Sequence, residues 1–230
     1  MSFYNESFGQ AIYPTPMIGM LGIYDDVSIH IDHSFKDDGD LVLLLGATGG
    51  WMDGSEYQKV AYDKVEGRVP DVDLQLEVEL QHKLRAAIEA RLLRSAHDCA
   101  EGGLAVALAE CCIASGTTGG AQFADPEAPR SGRDGRWLGA DVALGSAASA
   151  AGAAGRPDLV LFGEAPTRVI VSAAPELLGP LDEVLGGLPH RVLGRVTGTD
   201  LRCTMEGEEL FTIAVAELHS AYESLPLRLA

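Results

Sequence analysis

His97, Asp98 and Glu101 stand just ahead of Gly102 and Gly103, and an Ala/Leu-rich stretch follows, so that residues 95–114 read SAHDCAEGGLAVALAECCIA. A glycine pair before a helix lets an anion or another backbone come close to the free N–H groups of the first turn. Asp98 and Glu101 carry the charge that the positive end of a helix dipole favours, and Asp98 has the side chain of a helix cap. Asp98, Gly102 and Gly103 are therefore the candidate residues of a nucleotide pocket. The competing reading is a capped core helix entered through a tight turn. His97 and Asp98 could also do acid–base or metal chemistry, but no second cluster of metal ligands stands near them. Cys99 beside a helix start could have a depressed pKa, although no histidine partner for a nucleophile can be read from the sequence.

Two weaker constellations lie upstream. His30 and His33 flank Asp32, and His30-x-Asp32 could hold a cation; an alternating strand would turn these groups to one face, toward solvent. Gly46-x-x-Gly49-Gly50 follows an apolar run, where phosphate-cradling loops sit. It is neither a P-loop, since no Gly-Lys-Ser/Thr occurs, nor a dinucleotide fingerprint, since G-x-G-x-x-G is missing. A structural turn is the better reading.

The elements that must position these residues follow from periodicity. Residues 11–33 read as a β segment, with Ile29 and Ile31 alternating with polar neighbours. Residues 41–45 are a continuous apolar run suited to a buried central strand. The strongest helix spans 73–93, with Leu74, Val78, Leu84, Ile88 and Leu92 as its stripe and Asp71 or Asp73 as its start. Residues 104–112 carry a second helical face. A short strand is expected over 119–123, a loop over 124–136, and a mobile Ala/Gly/Ser-rich loop over 140–157. Strands at 168–172 and 191–196 bracket a helix at 176–185. Residues 201–205 and 210–215 form a hairpin turning at Glu206-Gly207, and a helix over 217–224 follows. Strands alternating with helices, together with a hairpin, predict an α+β fold with a mixed sheet covered by helices.

Composition excludes several functions. With 17 basic and 34 acidic residues the net charge is −17, against a nucleic acid or an anionic membrane surface as partner. The 4 cysteines form no C-x-x-C pair, which argues against a disulfide framework or zinc site and fits a reducing cytoplasm. No signal peptide is legible, and no apolar run approaches the roughly 18 residues of a membrane span.

Taken together, the motifs resemble those of phosphoribosylformylglycinamidine synthase, an ATP-dependent ligase of the aminoimidazole ribonucleotide synthetase superfamily. His97-Asp98-x-x-Glu101-Gly102-Gly103-Leu104-x-Val106-Ala107-Leu108-Ala109-Glu110 is similar to its HD-x-x-(D/E)-GGL signature. In the same order as in that family stand Phe3-Tyr4-Asn5-Glu6, Tyr13-Pro14-Thr15-Pro16-Met17-Ile18-Gly19, Gly39-Asp40-Leu41-Val42-Leu43-Leu44-Leu45-Gly46, Gly54-Ser55-Glu56-Tyr57, Leu161-Phe162-Gly163-Glu164 and Leu193-Gly194-Arg195-Val196. The similarity spans nearly the whole chain.

The resemblance implies the C-terminal portion of the enzyme that converts formylglycinamide ribonucleotide to its amidine in purine biosynthesis, using ATP, magnesium and ammonia from a glutaminase component. It implies three parts: 1–33 as the last strands of an N-terminal subdomain, 34–198 as the C-terminal domain, and 199–230 as a hairpin-and-helix extension. The family's Gly-Asn-x-Ser, which meets nucleotide, magnesium and substrate, survives here only as Ser2, the expected substrate contact. The catalytic histidine and most nucleotide and metal ligands belong to an upstream half, the expected partner, so the chain is expected to be inert alone. Ala165-Pro166-Thr167 replaces the family's Ser/Gln core between Glu164 and Arg168, which leaves a structural element with Arg168 paired to a nearby carboxylate. Met17, Ile18, Met20, Leu21 and Ile23 would form an unpaired apolar edge, leading to a homodimer or to disorder. Two alternatives stay open: a fragment of another ATP-using enzyme of the superfamily, or a free-standing nucleotide-binding or assembly module without catalysis.

Overall fold

Leu41 to Leu45 form a strand that is buried on both faces, and the rest of the domain is arranged around it. In the computed structural model, which describes residues 6–7, 9–12, 17–47, 50–116, 137–145 and 156–224, the strands are β1 (Glu6–Ser7), β2 (Gln10–Ala11), β3 (Leu41–Gly46), β4 (Ser95–Asp98), β5 (Ala140–Ala143), β6 (Arg168–Ala173), β7 (His190–Val196), β8 (Asp200–Met205) and β9 (Glu208–Ala214). The helices are α1 (Glu56–Tyr62), α2 (Leu74–Glu89), α3 (Gly103–Ser115), α4 (Pro157–Phe162), α5 (Leu178–Leu185) and α6 (Val215–Glu223). β1 and β2 pair with each other; the remaining strands form one sheet in the order β4-β6-β3-β7-β5-β8-β9. Every neighbour in it is antiparallel except β5–β8, so the sheet is mixed, as expected.

Side chains alternate across a strand, so β3 serves two cores. Leu41, Leu43 and Leu45 pack with Leu80 and Ala87 of α2 and with Leu181 and Leu185 of α5. Val42 and Leu44 belong to the opposite core, with Leu104 and Leu108 of α3, Val160 and Leu161 of α4 and Val215 of α6. β3 is thus sandwiched between helices, which is why its sequence is apolar throughout rather than alternating.

Several expectations need correction. In α2, capped by Asp73 through the N–H groups of Gln75 and Leu76, the buried stripe is Leu76, Leu80, Leu84, Ala87 and Ile88, whereas Leu74 and Val78 are exposed. Two residues of helix turn a side chain by about 200°, which puts 74 and 78 on the far side from 76 and 80. The β segment expected over 11–33 is not formed among the described residues: beyond β2 there is only a 3-10 turn, Val27–Ile29, capped by Asp26. Alternation makes a strand only where a neighbour completes the ladder, and this segment contributes a single bond of that kind, from Ala96 N–H to the Asp32 carbonyl (3.1 Å).

The run expected as a loop over 140–157 begins instead with β5, deep in the sheet between β7 and β8, and ends at α4. It runs close to β7: a Cβ on Gly194, across from it, would lie 1.9 Å from the Asp141 carbonyl oxygen. The expected hairpin is present as β8–β9, with Glu206 and Gly207 both at positive φ (52° and 88°), the geometry of a type I′ turn. Because β8 pairs with β5, that hairpin extends the same sheet. The expectations for 119–123 and 124–136 lie outside the described residues, as does Ser2.

Candidate functional site

β4 delivers the chain to Asp98, and a turn closed by Gly103 N–H on the Ala100 carbonyl (3.1 Å) leads into α3. Gly102 (φ 76°) and Gly103 (φ 67°) are both left-handed, and Gly102 caps α3 without a side-chain bond. Asp98 is not the cap. Its side chain is exposed, with its carboxylate 3.4 Å from His97 Nδ1. The acceptor comes from elsewhere in the chain. Glu164, in the turn between α4 and β6, accepts at Oε1 from Gly102 N–H (2.7 Å) and from Glu56 N–H (2.9 Å), the first residue of α1. One carboxylate oxygen therefore serves the N-termini of two helices, at the place where an external anion would sit. Glu164 is itself held by its N–H on the Trp51 carbonyl (2.7 Å).

What comes close to Gly103 is backbone. A Cβ on Gly103 would lie 2.7 Å from the Gly163 oxygen; one on Gly163 would lie 2.5 Å from Gly50 Cα; one on Gly50 would lie 2.0 Å from the Leu159 oxygen. Three loops thus meet backbone to backbone. Arg168 fixes this junction. Its buried guanidinium donates to the carbonyls of Gly163 and Ala165 rather than to a carboxylate, correcting the expected ion pair. A bend that presents two carbonyls inward satisfies the arginine donors without a second charge. Thr167, at φ 62°, donates its hydroxyl to Glu77 (2.6 Å) and accepts from Ala47 N–H (2.8 Å) at its carbonyl.

Beside the junction lies a cleft of about 530 Å³ lined by Glu77, Asp98, Glu101 and Glu164, with Arg168 and Cys99 at its floor. Its lining thus carries four carboxylates against one buried guanidinium. The Cys99 thiol is pushed up to about 11 by burial, the reverse of the depressed value expected at a helix start. Burial outweighs the dipole because the sulfur is packed in the core.

On the other side of β4, His97 places Nε2 2.9 Å from Glu110 Oε2 of α3, and its ring centroid is 4.9 Å from that of His33. The hydrogen bond to Glu110 raises the His97 pKa. Burial, and then the neighbouring His97, lower that of His33. The His30-x-Asp32 cation reading fails: Asp32 accepts from Ser34 N–H (2.8 Å), Ser34 Oγ and Lys36, while His30 packs edge-on against Tyr24 (6.1 Å). Among the described residues no group of three or more His, Cys, Asp or Glu is placed to hold a metal. The structure brings Gly102, Gly103, Glu164 and Arg168, which the sequence singles out separately, to one junction with Gly50, whose loop is the structural turn expected there. Sequence reading missed the double cap by Glu164. The legible signal was a helix start with no capping side chain of its own, which obliges some distant acceptor to supply one.

An open mixed sheet with helices on both faces, its signature helix entered through a glycine pair and capped from a distant turn, defines an AIR-synthase-like C-terminal domain. Residues 37–205 match the family described as "AIR synthase related protein, C-terminal domain", and the chain belongs to that family. Among similar curated proteins are two called phosphoribosylformylglycinamidine synthase subunit PurL. The one from Moorella thermoacetica is 37% identical over 236 residues, covering 100% of this chain and 28% of that protein. The one from Anaeromyxobacter sp. (strain Fw109-5) is 39% identical over 224 residues, covering 96% of this chain and 26% of that protein. The chain thus spans about a quarter of the length of these relatives. Among solved structures, T. maritima PurL complexed with FGAR superposes at a TM-score of 0.64 with 18% identity, over 83% of this chain and 29% of that one. T. maritima PurL complexed with ATP gives 0.57 at 18% identity, over 83% and 27%. These likenesses establish the shared fold. Among the described residues no helix is long and apolar enough to cross a membrane.

Proposed function

We propose that this chain is the C-terminal part of a phosphoribosylformylglycinamidine synthase, a cytoplasmic ligase of purine biosynthesis. The whole enzyme uses ATP, magnesium and glutaminase-derived ammonia to convert formylglycinamide ribonucleotide to its amidine. The chain completes the second half of the enzyme, covers its substrate site and contributes Ser2 as a substrate contact. By itself it is inert. Alignment along the full chain with the relatives supports the assignment. The observation that supports inertness is the Glu164 carboxylate on the N–H groups of Gly102 and Glu56, where a phosphate would otherwise be received.

The upstream polypeptide is the proposed partner, and the exposed run from Met17 to Ile23 supports a contact with it. Met17, Met20, Leu21 and Ile23 are each more than nine-tenths exposed, and contiguous exposed apolar side chains mark interaction sites. A chimera tests the reading: this chain replaces the matching segment of the Moorella thermoacetica protein, and amidine formation is assayed with ATP, magnesium and ammonia. The chimera is expected to form product while the chain alone forms none. Turnover by the chain alone would overturn the proposal.

A further inference from the structure

Residues 26–36 form a strap across the β4 edge of the sheet. It is held by Ala96 N–H on the Asp32 carbonyl (3.1 Å), by Phe35 N–H on the Cys111 carbonyl of α3 (3.1 Å) and by Arg91 on Ser28 Oγ (2.8 Å). His33 packs on His97 of β4, and at the strap's end Phe35, 1% exposed, is buried in the core with Val42 and Leu44, so that residues 26–34 are the part free to leave the sheet. We propose that His33 and His97 form an acid-released latch: neutral His33 docks residues 26–34 on β4, and protonation of His33 lifts them.

The two rings are not equivalent. His97 has a carboxylate partner in Glu110 at 2.9 Å, and a second carboxylate, Asp98, at 3.4 Å. Its charge is provided for. His33 makes no comparable bond: Asp32, beside it, is committed to Ser34 and Lys36, whose ammonium adds positive charge. From α6, His219 and Glu223 face the same cavity of about 390 Å³, together with Tyr222. Their nearest mutual approach is 4.0 Å, so Glu223 is drawn toward His219. A proton on His33 therefore sets two imidazolium rings 4.9 Å apart with the nearest carboxylates already engaged.

Docked, His33 binds its proton less readily than in water; released, it recovers the ordinary value of 6.5. Release therefore takes up a proton, and acid favours it. His97 has the opposite sign: its pKa is raised in the folded chain, so its bond to Glu110 gains as the pH falls and keeps β4 tied to α3. Only residues 26–34 leave. Linkage limits the effect to about a tenfold rise in the release equilibrium between about pH 7.5 and pH 5.5.

Amide exchange reads this directly, because the Ala96 N–H is the one that the strap's Asp32 carbonyl covers. Protection factors, corrected for the intrinsic pH dependence of exchange, are compared with those of Phe35 and of β3 amides. In the wild-type chain Ala96 is expected to lose about three- to tenfold of its protection on acidification, while Phe35, anchored in the core, and β3 hold. His33→Phe keeps a ring on His97, and His33→Gln removes it; neither binds a proton there, and both are expected to show no such loss. Unchanged protection in the wild type, or an equal loss in either variant, overturns the latch.

Discussion

Glu164 supplies with one oxygen what Gly102 and Gly103 have no side chains to provide, and the same atom ties α3 to α1 across the junction. Removing it in Glu164→Ala strands two helix-terminal N–H groups. The expected cost is about 1–3 kcal/mol in a denaturant titration. Asp40 is a second residue whose setting makes a prediction. It is 3% exposed, its Oδ2 lacks a hydrogen-bond partner, and burial with the nearby Asp37 carboxylate raises its pKa to about 6. Between the ordinary 3.8 and that value the folded chain holds a proton that the unfolded chain has released. This group therefore favours folding in acid, and its contribution is lost as the pH rises toward 6. Asp40→Asn is expected to stabilise the chain by up to about 3 kcal/mol near pH 7.5, a gain that vanishes near pH 4 in paired thermal melts.

At the scale of elements, β3, α2, α3 and the β8–β9 hairpin were legible because local pattern alone determines them. Five successive apolar residues make β3, Asp73 caps α2, and Glu206-Gly207 sets the turn. What escaped depends on neighbours. β5 opens a small-residue run and is made a strand by its ladders with β7 and β8, and the strap of 26–36 alternates without a ladder to join. The site was half legible for the same reason: Gly102 and Gly103 announce a close approach, but only the fold reveals that Gly163 and Glu164 make it. Gly103→Ala tests that approach, since its φ is 67° and the added Cβ would meet the Gly163 oxygen at 2.7 Å. A loss of about 2–3 kcal/mol is expected in urea unfolding, larger than a glycine-to-alanine change at an unstrained site could produce.

For the whole molecule, the sheet is closed by helices on both faces around β3, while the segment before it carries bare apolar side chains from Met17 to Ile23. The curated relatives are about four times as long as this chain. The chain has the family's fold, and Glu164 stands on the N–H groups at the start of α3 where an anion would be received. Calorimetric titration of magnesium–ATP and magnesium–ADP into the purified chain tests that occupancy most directly. No saturable binding is expected up to the millimolar range, where a dissociation constant corresponds to only about −4 kcal/mol. Micromolar binding that is lost in Gly103→Val would contradict it, and would place a working nucleotide pocket at the start of α3.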